Sequence, residues 1–231
     1  MPATLLSSPL LGLALTVIAY KIGEKVSERF NLTLLPPFVT CCAIIMLLIH
    51  QAGLFTYQQY EVGGAMINFL LGPATVALAL PLVRNKHILR QHGAILLGGV
   101  LIGTCSGIIS VALCAKALGA SHLVAMSLVP KSVTTPIAMD ISAAIGGIPA
   151  LTAACVIITG IFGATCGHKL LALVGVKNDI AIGLAIGASS HGLGASSCIA
   201  KSSMQVAISS LAIALVGIAT ALLAPLLLPY L

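Results

Sequence analysis

Between His122 and Gly147 the chain is apolar over a length that would span a bilayer, and this stretch holds Pro130, Lys131, Pro136 and Asp140. Each proline removes a backbone donor and frees a carbonyl, so the helix breaks where the polar residues sit. A charge in hydrocarbon costs about 2.5–3.5 kcal/mol on insertion scales, so such residues face a water-filled cavity or a partner. A fold that accepts this segment has to bury it among other helices. The rest of the chain can supply them: 59% of the 231 residues are hydrophobic and 7% are charged, against about 25% charged in a soluble domain. The expected fold is an all-α polytopic membrane protein, one integral membrane domain over residues 1–231. It would have about 6–8 transmembrane or re-entrant segments with broken helices.

Apolar segments are read at about 5–21, 33–50, 63–83, 93–117, 122–145, 150–167, 180–200 and 205–228. The third, fifth and seventh carry polar or glycine–proline interruptions; Pro73, Pro130, Pro136, Gly192 and Gly194 are the expected helix breaks. The loops 22–31 and 84–92 carry Lys25, Arg29, Arg84, Lys86 and Arg90, whereas 51–62 carries Glu61 and no Lys or Arg. The positive-inside rule places the first two in the cytoplasm and the third outside. His168, Lys169 and Lys177 obey the same rule only if 122–145 enters and returns, so a re-entrant fifth segment is expected. Leu70–Val76 shares a pattern of Leu, Pro, hydroxyl and Val with Ser127–Val133, which points to internal, inverted repeats.

Lys131 is too deep in its segment for easy snorkelling. Ser132, Thr134 and Thr135 add hydroxyls, and a half-helix starting after Pro130 would aim free N–H groups at the same place. A lysine, hydroxyls and a helix N-terminus together suit an anion; a carboxylate fits, and so does a phosphate. Asp140 lies nine residues on, on the opposite face of an unbroken helix. It is either a proton-carrying carboxylate or a helix-end residue near Gly146. His191, among Ser189, Ser190, Gly192 and Gly194, is either a structural hydrogen-bonder or a residue for proton coupling. Asn68 and Thr75 share a face of the third segment and either bond across helices or orient a carboxylate. Gly99, Gly103 and Gly107 form a stripe for close packing against a helix or protomer. The seven cysteines lie in apolar stretches without metal-ligand spacing, so they read as packing residues. No nucleophile elbow, zinc spacing or phosphate-cradling loop is present, so no enzyme, cofactor, metal or nucleic-acid role is expected.

Leu71-Gly72-Pro73-Ala74-Thr75-Val76, Pro130-Lys131-Ser132-Val133-Thr134-Thr135-Pro136-Ile137-Ala138, Gly146-Gly147-Ile148-Pro149 and Ser190-His191-Gly192-Leu193-Gly194 resemble the LrgB/CidB family over essentially the whole chain. The resemblance implies a multi-pass protein of the bacterial inner membrane. It implies either a holin/antiholin-like modulator of murein hydrolases and autolysis or a small-carboxylate transporter, as in the plastidal glycolate/glycerate translocator. It also implies a smaller LrgA/CidA-type membrane partner. Family members usually continue the histidine motif with Gly-Thr-Ala-Arg, whereas this chain reads Gly194-Ala195-Ser196-Ser197-Cys198, so no family role is carried onto that stretch.

The expected function is transport of a small monocarboxylate such as glycolate, glycerate, lactate or pyruvate, with proton coupling and a homodimeric assembly in the lipid bilayer. Lys131 would be the counter-charge, Ser132, Thr134 and Thr135 the donors, Ser190 and His191 part of the site, and Asn68 and Thr75 the opposing wall. The alternative is a holin-like pore or regulator of autolysis.

Overall fold

The computed structural model describes residues 8–30, 37–51, 56–77 and 79–228, and those residues form helices joined by short turns. The chain divides into two compact units, residues 1–74 and 75–231. In the first, α1 (Pro9–Phe30) packs on α2 (Pro37–His50) and α3 (Tyr57–Phe69). The backbones of α1 and α3 meet at Gly12 and Gly63, where a side chain on either would collide with the other helix. Ala19, Cys41 and Ile45 form the small core. The loop expected at 22–31 is largely helical: Lys21 bonds Glu24 at 2.6 Å, and Lys25 precedes Glu28 by the same three residues. The expected 51–62 loop also ends early: Thr56 and Gln59 form a capping box that starts α3 at Tyr57.

The second unit contains α4 (Leu71–Ala77, which straddles the boundary), α5 (Leu80–Arg84), α6 (Lys86–Ala117), α7 (His122–Leu128), α8 (Thr135–Ala144), α9 (Pro149–Leu173), α10 (Asp179–Ser196) and α11 (Ser203–Leu227). Helices α6, α9 and α11 are long and apolar enough to cross a membrane. Pro73 lies inside α4 and does not break it; the third segment is interrupted instead at Leu70 and around residue 79. A proline near a helix start gives up a donor that has no intrahelical acceptor anyway.

The fifth segment doubles back. Its two short helices flank a turn at 129–134, and the end of α7 meets the start of α9 rather than the far side of the fold. The Ile148 N–H donates to Ser127 Oγ at 2.7 Å, and Thr152 Oγ1 donates to the Ser127 carbonyl at 2.8 Å. Thr152 Oγ1 is also 2.7 Å from Ser142 Oγ, so one hydroxyl ties the last turn of α7 to the last turn of α8. A chain that continued straight through would separate Ser127 from Ser142 by about 20 Å. Residues 122–147 are therefore a hairpin, called here hairpin one, whose tip is 129–134. Pro136 sits in the first turn of α8, so it starts the returning arm, and Pro130 lies in the tip.

The seventh segment does the same from the opposite end. Its first arm runs beside α11 in the same direction: Gly183 abuts Gln205 and Ile208, and Gly187 abuts Ser209 and Ala212. It passes α9 the other way, with Ile186 against Gly167 and Ser190 against Gly163. At Ser190–His191 the helix breaks, with His191 at φ 42° and ψ −149°. The chain then returns, so that Ser197 comes within 3.2 Å of His168 Nδ1. The break lies at Ser190–His191 rather than at Gly192 and Gly194, which belong to the returning arm. This is hairpin two, residues 179–202.

Each hairpin is followed by a long helix, and the two helices run in opposite directions. Hairpin one with α9 and hairpin two with α11 thus form an inverted pair. Each helix also abuts the other hairpin through a mid-helix glycine: Gly160 of α9 faces His191, and Gly217 of α11 faces Ile137 and Val133. The pairing expected between 70–76 and 127–133 is not the one the fold uses. Buried Val100, Val133, Val156 and Val216 join α6, both long helices and the tip of hairpin one in one core.

Replacing Thr152 by the isosteric Val leaves the Ser127 carbonyl and Ser142 hydroxyl short of a partner, at an expected cost of about 1–3 kcal/mol. Thr165→Val, which loses only a bond to the Ile161 carbonyl of its own helix, is expected to cost less than about 0.5 kcal/mol. Unfolding in detergent measures both, and equal losses would remove the clamp argument.

Candidate functional site

The two hairpin tips meet on a cavity of ≈ 620 Å³. Lys131 and Ser132 reach it from hairpin one, and Ser189 and Ser190 from hairpin two. Helix α6 supplies one wall through Gly99, Gly103, Ser106, Gly107 and Ser110, and α9 another through Thr159, Phe162, Gly163 and Gly167. The glycine stripe of α6 is therefore more than a packing face. Gly99 and Gly103 do touch Leu184 and Ala188 of α10, but Gly107 opens onto empty space.

Most hydroxyls in this cavity spend their proton locally. Ser106 donates to the Gly103 carbonyl at 3.0 Å, Ser110 to Gly107 at 3.1 Å, and Thr159 to Cys155 at 2.8 Å. Ser189 and Ser190 share a 3.0 Å hydrogen bond. The unspent donor is Lys131: its ammonium has three N–H groups and meets only Ser132 Oγ, at 3.4 Å. No carboxylate lies within ion-pair distance of it among the described residues. The only acids in residues 75–231 are Asp140 and Asp179. Asp140 is exposed in a separate depression beside Gly217, Ala221 and Pro225 of α11, and Asp179 is bonded to Gln205. A single positive charge between apolar walls attracts an anion and holds off a cation.

The remaining sequence candidates lie elsewhere. Thr134 and Thr135 start α8 and do not line the cavity; Thr134 Oγ1 is buried without a partner. His191 is buried, and its Nε2–H donates to the Val156 carbonyl at 2.8 Å. A non-glycine residue at positive φ is sparsely populated and persists only where its surroundings hold it. Here the Val156 bond and the bare Gly160 backbone against the imidazole hold the reversal in place. Asn68 is exposed in the first unit, and the side chain of Thr75 lies outside the described residues. Ser106, Ser110 and Thr159 were not singled out from the sequence. The signal for two of them was present, since Ser106 and Ser110 extend the small-residue face at 99, 103 and 107.

Two opposed hairpins that meet on a cavity with one unpaired lysine define an all-helical membrane protein with an internal polar site. The chain belongs to the LrgB-like family, whose model matches residues 16–230. It is 41% identical over 183 residues to the uncharacterized protein YxaC of Bacillus subtilis, covering 78% of each chain. It is 38% identical over 185 residues to YwbG of the same organism, covering 80% of this chain and 82% of that one. It is also 38% identical over 190 residues to the antiholin-like protein LrgB of Bacillus cereus, covering 81% of each. No solved structure matches it.

The helix contacts predict a paired result. A methyl at Gly163 would collide with Ser190, so Gly163→Ala is expected to cost about 1–3 kcal/mol. Gly107→Ala meets open space and, by removing a helix-interior glycine, is expected to be neutral or stabilising by up to about 1 kcal/mol. Thermal unfolding of the two variants side by side checks the contrast.

Proposed function

We propose that this protein is a multi-pass carrier of the bacterial inner membrane that moves small monocarboxylates through the cavity between the hairpin tips. The observation that carries the proposal is Lys131, an ammonium with spare donors in an apolar-walled cavity, without a carboxylate partner. Lys131 is the counter-charge for the substrate carboxylate, and Ser132, Ser189 and Ser190 orient it. A water takes about 30 Å³, so ≈ 620 Å³ accommodates a two- or three-carbon acid with several waters. Inverted repeats with broken segments at their interface are the arrangement in which secondary transporters alternate access. Thr134 and Thr135 act through the start of α8, and the protein works as a homodimer without covalent chemistry. The family resemblance adds a smaller LrgA/CidA-type membrane partner.

Orientation follows from charge. The parallel courses of α6, the first arm of α10 and α11 bring Lys86, Arg90, Lys169, Lys177 and Lys201 to one end of the second unit. By the positive-inside rule that end is cytoplasmic.

The relatives' names favour the other reading more directly: several at 38% identity are called antiholin-like. On that reading the protein modulates murein hydrolase activity and autolysis, and the cavity is incidental. Purified protein in liposomes separates the two. Uptake of labelled glycolate, glycerate, lactate and pyruvate, with and without a pH gradient, is expected to saturate. Lys131→Ala is expected to lower it about 100-fold or more, since a charge-assisted contact is worth roughly 1.5–3 kcal/mol and its loss leaves the substrate charge unpaired. Unselective leakage that Lys131→Ala leaves unchanged would reject the carrier and return the antiholin-like reading to first place.

A further inference from the structure

The cavity changes character along its length, and the helix contacts show where. Gly163 of α9 faces Ser190 of α10 and Gly167 faces Ile186, while Gly99 of α6 faces Leu184 and Gly103 faces Ala188. At the hairpin tips the lining is polar: Lys131, Ser132, Ser189 and Ser190, with Thr159 of α9. Ser106 and Ser110 lie on the tip side of Gly103. From the break in α10 back toward its start, the lining becomes Ile186, Ala185 and Leu184 on α10 and Gly167, Leu170 and Leu171 on α9. Among the described residues, no polar side chain lines this part.

The two ends therefore suit different chemistry. A two- or three-carbon acid held at Lys131 leaves the apolar end to water, which is retained only where polar partners surround it. A hydrocarbon tail there is removed from water without leaving a polar group unpaired. The eight residues from Gly163 to Leu171 rise about 12 Å, the reach of an eight- or nine-carbon chain at roughly 1.3 Å per carbon. An eight-carbon acid, with about ten non-hydrogen atoms at about 30 Å³ each, fills about half of the ≈ 620 Å³.

We propose that the cavity takes a carboxylate with an unbranched apolar tail, of about six to nine carbons in all. Lys131 receives the head, and the compartment between α9 and the first arm of α10 receives the tail. This rests on the reading of Lys131 as the substrate's counter-charge and extends the substrate class from short acids to medium-chain ones.

The test is equilibrium binding of labelled octanoate to the purified protein in lipid nanodiscs. Acetate, butyrate and hexanoate serve as competitors, and octanol serves as the tail without the charge. Nanodiscs carrying Lys131→Gln give the background from partition into lipid. Above that background, affinity is expected to rise about threefold with each added methylene. Octanol is expected to compete about tenfold or more weakly than octanoate, for want of the charge-assisted contact. Ala185→Phe, which fills the tail compartment, is expected to bring octanoate down to the affinity of butyrate and to leave butyrate unchanged. Gly167→Asn is the second variant: a Cβ there meets Ile186 at ordinary contact distance, and its amide against the tail is expected to weaken octanoate about tenfold. An affinity that does not change with chain length, or a series that both variants leave intact, would overturn the proposal. Binding that tightens with length in a protein that takes up no carboxylate would reject the carrier and keep the site. Saturable glycolate uptake with a flat series would do the reverse, so the two failures are separately visible.

Discussion

Hydrocarbon offers no hydrogen-bond partner, so a chain that breaks its helix at membrane depth has to find one for each polar group it frees. The second unit of this protein is organised around that requirement. Hairpin one is held by Thr152, which ties Ser127 in the last turn of α7 to Ser142 in the last turn of α8. Hairpin two is closed at its feet by Gln205, which joins Asp179 to His168 and through it to Ser197. Each clamp lies in the first turn of the long helix that follows its hairpin, at matching positions in the two halves of the inverted pair. With the arms tied, the tips meet on the cavity.

The meeting of the tips creates the chemistry. Glycines at 160 and 163 allow the Ser190–His191 reversal to lie directly on α9, and the His191 bond to Val156 holds a backbone conformation that is otherwise disfavoured. Opposite, Val133 is buried under α6 and α11, which orders the tip that carries Lys131. The cavity between them inherits one positive charge and hydroxyls, most of whose protons are committed locally. The family includes members named antiholin-like and others named uncharacterized, and a cavity that holds one lysine gives a physical basis for assaying both activities on the same protein.

Much of the second unit was legible in the residues. Two prolines around Lys131 announced a broken segment, and the basic residues near 168–177 favoured its return over a full crossing. The stripe of small residues on α6 was visible, but its role was not, because a glycine that admits a neighbouring helix and a glycine that borders a cavity look alike in sequence. His191 stood out as a polar residue in an apolar run. Its task as the pin of a backbone reversal depends on the Val156 carbonyl, 35 residues away. The candidate wall at Asn68 drew on a spacing within one segment, whereas Asn68 and Lys131 belong to separate units.

By itself the sequence determined an all-helical membrane chain, the segments that cannot be regular helices, and the placement of a lysine in one of them, since composition and proline chemistry act locally. The tertiary structure alone decided where the breaks turn, which helices pair as inverted partners, and which hydroxyls share a cavity with Lys131. A half-helix that goes on and one that turns back have the same local periodicity. Only the side chains that tie their arms together, supplied by residues distant in sequence, tell the two apart.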